Sequence, residues 1–167
     1  MTLTDLQTLV DYHYWARDRL LEAIEPLSAE QWRRDLGSSF KSIHETVAHI
    51  YAAEWAWHQR WQGNSPTALF PAEKLPDVAS VRGAWSELEA KVRGFLAGLG
   101  EAGITRVFEY RLLNGSEGSS PFWQMLQHVV NHASYHRGQV TNFLRMLGAS
   151  TTPLDLVLYY NEHPPAD

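Results

Sequence analysis

No cysteine occurs among the 167 residues. That absence removes thiol nucleophiles, cysteine-ligated zinc, iron–sulfur clusters and redox disulfides from consideration. Positive charge is also scarce: 14 basic against 19 acidic side chains give a net charge of −5. The longest Lys/Arg run is the pair Arg33–Arg34, so a basic face able to neutralise phosphates is not expected, and neither is nucleic-acid binding. No apolar stretch approaches the ~20 residues of a membrane span. Met1-Thr2-Leu3-Thr4-Asp5 lacks the basic and apolar regions of a signal peptide. The expectation is a cytoplasmic protein without a membrane partner. A single domain spanning residues 1–167 buries about 70% of its unfolded surface and needs no staple.

What the chain does have is helical periodicity. Thr4-x-x-Gln7 has the form of a capping box, followed by Leu6, Leu9, Val10, His13, Leu20, Leu21 and Ile24 at helical spacing, with Pro26 after them. Ser28-x-x-Gln31 offers one extra turn. A second long helix is predicted from about Phe40 to Trp61, and a third from about Val78 to Leu99, stopped by Gly100 and Gly103. Between them Pro66, Pro71 and Pro76 mark a surface connection. Val107-Phe108-Glu109-Tyr110 has strand character and Asn114-Gly115 is a turn signal, so a short hairpin is expected in the crossover. Ser120-Pro121 reads as N-cap and first residue of a fourth helix reaching Leu147, with Gly148 beyond it. Thr152-Pro153 repeats the start signal for a short terminal helix through Tyr159. The fold class is therefore all-α: a four-helix bundle with a longer crossover between helices three and four and a short C-terminal helix.

Eight histidines are present, and three of them, His128, His132 and His136, follow one another at four-residue spacing. Random placement would give roughly 0.3 such pairs rather than two. Side chains at i and i+4 share a helix face and can grip one ion at the ~2.0–2.1 Å of Zn–N bonding. Met125, Val129, His136, Val140 and Phe143 lie within about 80° of His132, so the row falls on the core-facing stripe. The alternative is a set of core histidines bonded to one another or to backbone. It is the weaker account for a row, because each buried ring then needs its own partner.

A helical pair leaves a metal under-coordinated, so a third ligand is sought on another helix. His49 is the best candidate, bordering the stripe of Ile43, Ile50, Trp57 and Trp61, with Ala52, Ala53 and Ala56 leaving room beside it. His58 lies opposite and is expected to face water; His44, near the helix start, reads as a surface residue. His13 sits on the first helix's apolar stripe and suits core packing or contact behind a ligand rather than ligation. Two familiar motifs fail: His44-Glu45-Thr46-Val47-Ala48-His49 has its second histidine one residue too late for a zincin. No glutamate is followed by histidine at the i+3 spacing of a di-iron bundle.

At these residues the sequence resembles the DinB family of metal-associated helical bundles and thiol transferases. The resemblance is carried by Tyr14-Trp15-Ala16-Arg17-Asp18-Arg19-Leu20-Leu21, by Ser38-Ser39-Phe40-Lys41-Ser42-Ile43-His44-Glu45-Thr46-Val47-Ala48-His49-Ile50, by Asn131-His132-Ala133-Ser134-Tyr135-His136-Arg137-Gly138-Gln139, and by Pro153-Leu154-Asp155-Leu156-Val157. It implies a bundle holding one divalent ion (zinc, nickel or iron) on His49, His132 and His136. His128 matches a histidine one turn earlier in such sequences, assigned to the ligands' surroundings or the pocket wall. Gln139 lies on the ligand side and is expected to orient a ligand or water. Arg137 points about 140° away, where a structural ion pair is expected, and Gly138 suggests the close approach of a neighbouring helix.

An open tris-imidazole site suits catalysis better than a closed structural ion. The resemblance to the DinB family implies transfer of a low-molecular-weight thiol to a small electrophile in detoxification, and the thiol would arrive from outside because the chain has none. A metal-binding stress protein without turnover and a metal-dependent hydrolase are the alternatives. Homodimer formation is an expectation from family analogy alone.

Overall fold

A computed structural model describes residues 1–164. The expected all-α bundle forms from α1 (Leu3–Ile24), α2 (Ala29–Arg33), α3 (Ile43–Trp61), α4 (Val78–Gly103), α5 (Phe122–Met146) and α6 (Leu156–Glu162), with strands β1 (Val107–Arg111) and β2 (Glu117–Pro121). The second, third and fourth long helices of the sequence reading are α3, α4 and α5. In the bundle α1 and α3 each pack against both α4 and α5, so α1 faces α3 across the diagonal. Leu6, Ile24, Ile43, Ile50, Val81, Trp85, Phe122 and Val140 are among the least exposed residues of the core.

Helix ends show where local signals were misplaced. The first capping box lies at Thr2 and Asp5, not Thr4 and Gln7: the Asp5 carboxylate accepts from the Thr2 backbone N–H at 2.7 Å, and Thr2 Oγ1 accepts from Asp5 N at 3.2 Å. An aspartate two residues earlier does the work of the glutamine. Ser28 and Gln31 make the box expected of them at α2. α3 begins at Ile43 with Ser42 as N-cap, leaving Phe40 outside the helix. α4 passes through Gly100 at φ 64°, a conformation open to glycine, and adds one turn before Gly103.

The hairpin pairs Val107 with Pro121 and Arg111 with Glu117, and turns at Asn114-Gly115 with Gly115 at φ 84°. Ser120 and Pro121 therefore belong to β2, and Ser120 does not cap α5. The carbonyls of Arg106 and Ile104 accept instead from the N–H groups of Phe122 and Trp123 at 3.0 and 3.1 Å, satisfying donors a side-chain cap would otherwise take. α6 likewise starts later than Thr152-Pro153 suggested, after Asp155, and the Tyr12 hydroxyl donates to the Leu154 carbonyl at 3.0 Å just ahead of it. Gly138 does not mark a close helix approach: a Cβ built there meets nothing within 4 Å.

At the bundle's centre, side chains from α1 and α4 converge on Glu54 of α3. Its carboxylate lies 2.9 Å from His13 Nε2 and accepts from the Tyr14 hydroxyl at 2.6 Å and from Trp85 Nε1 at 2.6 Å. Burial pushes the Glu54 carboxyl up, but attraction to His13 and these hydrogen bonds outweigh it and hold the group below its ordinary range. Arg137 of α5 joins from the fourth side, donating to Tyr12 Oη at 3.3 Å and Ser134 Oγ at 2.8 Å, with His13 Nδ1 at 3.5 Å. The ion pair expected of Arg137 is thus replaced by hydrogen bonds to the Tyr12 and Ser134 hydroxyls.

Candidate metal centre

The interface between α3 and α5 places His49 opposite His132 and His136. His132 Nε2 lies 3.2 Å from His49 Nε2 and 3.1 Å from His136 Nε2, and the three nitrogens all lie within 4.8 Å of one another. Tetrahedral coordination with Zn–N bonds of 2.0–2.1 Å needs nitrogens roughly 3.3 Å apart, so the spacing fits a single ion. Hydrogen bonding accounts for the cluster less well. An imidazole nitrogen carries either a proton or a lone pair, so His132 Nε2 cannot donate to one neighbour while accepting from the other. Three ring nitrogens turned toward a common point are satisfied together by a cation.

The protonation states favour this. Gln139 Oε1 accepts from His136 Nδ1 at 2.7 Å, fixing the tautomer that leaves the His136 Nε2 lone pair facing its neighbours. Burial, then the charge of His136, pulls His49 down to about 4; burial and the neighbouring histidines pull His132 to about 4 as well. Both rings are neutral at neutral pH, as ligation requires.

Phe40 was not singled out in the sequence. Its ring stacks on His49 with centroids 4.3 Å apart and meets His136 edge-on at 5.3 Å, covering one side of the cluster. Its signal was the position just ahead of a helix cap, where a residue is free of the helix's own face. On the other side, His49, Ala53, Ala56, Trp57, Leu69 and His128 help line a cavity of about 360 Å³. Ala53 and Ala56 leave the room expected of them, whereas Ala52 is buried in the core. His128 forms part of this wall, 5.8 Å from the His132 ring and 5.1 Å from Trp57.

The remaining histidines do other work. His13 bonds Glu54 at the bundle's centre, and none of its hydrogen bonds reaches the triad. His58 is buried at 2% exposure, not solvated, because α4 covers the face of α3 opposite His49. His44 is buried too, its Nε2 donating to the Leu75 carbonyl at 2.9 Å and pinning the proline-rich connection to α3. Among the described residues no helix is long and apolar enough to cross a membrane.

Comparison with known proteins agrees with the segments that carried the resemblance. The DinB family model matches residues 1–166. Protein DinB of Bacillus subtilis (strain 168) is 30% identical over 161 residues, which cover 90% of this chain and 91% of that protein.

Proposed function

The chain belongs to the DinB family, and from that premise we propose that it is a metal-dependent thiol S-transferase acting in detoxification of small electrophiles. The observation that carries the reading is the convergence of His49, His132 and His136 Nε2, with His49 also lining an apolar cavity. These three residues would hold the ion, with Gln139 orienting His136. A divalent ion held by them lowers the pKa of a bound thiol and polarises a nearby electrophile.

The chain's own groups fit the rest of the task. Phe40 closes one side of the triad against water, and Ala53 and Ala56 keep the opposite side open. Trp57, Leu69, Leu112 and Leu113 give the cavity an apolar wall for an electrophile's carbon frame. No cysteine is available as a nucleophile, and the one fully buried glutamate, Glu54, is occupied by three hydrogen bonds. The sulfur therefore comes from a separate low-molecular-weight thiol, which loses its proton to solvent and bonds to the electrophilic carbon as the leaving group departs with its bonding electron pair.

Protein purified without a nickel column should contain about one divalent ion per chain by elemental analysis. The triple variant His49→Ala/His132→Ala/His136→Ala should contain none; full metal content in it would defeat the assignment. Incubation of loaded and metal-free protein with physiological thiols and a chromogenic aryl halide should show conjugation only in the loaded form. Equal rates in both, with every thiol, would leave a binding protein without turnover.

A further inference from the structure

Arg60, in the last turn of α3, is only 5% exposed. Its Nε donates to the Arg111 carbonyl at 3.1 Å and its guanidinium lies 4.6 Å above the Trp57 ring. None of the ion pairs among the described residues involves it. The comparably buried Arg17 has both Asp18 and Glu89 as partners. A buried cation without a counter-charge is costly to keep, and Arg60 sits where a counter-charge can enter: it lines the same 360 Å³ cavity as His49.

That cavity is within the size range of sites for small organic molecules, roughly 300–1,000 Å³. Among the described residues its lining contains no acidic side chain. Arg60 lies about three turns beyond His49 on the same face, about 16 Å along α3, and its longer side chain, leaning back toward the N-terminus, shortens the gap to the triad by a few ångströms. The groove on the other side of Arg60, beside β1, includes no triad residue in its lining and already contains both Arg106 and Glu109.

We propose that this cavity selects a thiol bearing a carboxylate, with the sulfur at the triad and the carboxylate on the Arg60 guanidinium. Trp57 and the leucines would cover the connecting carbons, and the planar guanidinium matches a carboxylate in two-point hydrogen bonding. This rests on the transferase reading for the sulfur end only.

Cobalt(II)-loaded protein titrated with 8-mercaptooctanoate and with 8-mercapto-1-octanol tests the pairing, the sulfur-to-cobalt absorption band reporting binding. The acid should bind at least tenfold more tightly than the alcohol. Arg60→Gln should equalise the two, as should Arg60→Met, which keeps the bulk of the buried stem if the glutamine variant fails to fold. Equal affinities in the parent protein, or an acid preference that survives both substitutions, would overturn the proposal. Calorimetry of metal-free protein with octanoate and 1-octanol separates this inference from the metal reading. A preference for octanoate lost in the Arg60 variants supports the anion site even if cobalt is never bound, and no preference refutes it there too.

Discussion

Gln139 shows how much one side chain determines at the triad. By accepting from His136 Nδ1 at 2.7 Å it fixes which nitrogen is free. Gln139→Leu should therefore lower metal affinity about 10- to 100-fold without unfolding the protein; competition with a chromogenic chelator measures it, and unchanged affinity would remove the role. His49 and His132 add a pH signature. Both are depressed to about 4 in the folded protein, whereas in the unfolded chain they titrate near 6.5. Between those values the unfolded state binds protons that the folded state refuses, so stability is lost as pH falls through that window and is full above it. Urea unfolding of metal-free protein at pH 7.5, 5.5 and 4.5 should show this fall. It should be shallower in the double variant His49→Ala/His132→Ala; identical slopes would show that the two rings do not titrate this way.

Among the elements, α3 most strongly separates what the sequence reveals from what it hides. The His132/His136 spacing on α5 and the small residues beside His49 could be read directly, because each depends on one helix's own periodicity. His58 and Glu54 could not, because α3 is covered by α4 as well as α5, and neither could His44, which is covered by Trp32 of α2 and the connection at Leu75. A hydropathy stripe describes a helix with one wet side, and this helix has little of one. Arg60 and Phe40 were missed for a related reason: Arg60 bonds the Arg111 carbonyl of β1 and Phe40 stacks on His49 from outside the helix, neighbours that only packing identifies. The first cap was displaced by two positions where Asp5 supplied the partner, and at α5 backbone carbonyls took the place of a side-chain cap. Two substitutions probe these elements. Glu54→Leu strands the donors on Tyr14 and Trp85 together with His13, and should cost about 3–5 kcal/mol in urea unfolding; a loss under 1 kcal/mol would mean the central network adds little. Gly138→Ala, at an exposed position in α5 with open space around it, should stabilise the helix by about 0.5–1 kcal/mol. A loss of stability there would reveal a contact the structure lacks.

For the whole molecule, the triad joins two helices that already pack extensively against each other, with ligands 83 positions apart in the chain. Ion binding should add stability by mass action, about 4 kcal/mol at a free concentration a thousandfold above Kd. Thermal melts before and after chelation should differ accordingly, with the metal-free protein still folding cooperatively; melting that ignores chelation would argue against an ion at the triad. The bundle needs no ion to assemble, since its core of Leu6, Ile50, Trp85 and Phe122 and its polar centre stand apart from the three imidazoles. A nitrogen cage built in advance has little means of rejecting the wrong guest. Its preferences follow the intrinsic ranking of the ions, rising from iron through nickel to copper and falling again at zinc. Occupancy in a living cell is then decided by which ion is plentiful and exchangeable when the chain folds, so the ion recovered from an overproducing culture records that culture's supply as much as the protein's choice.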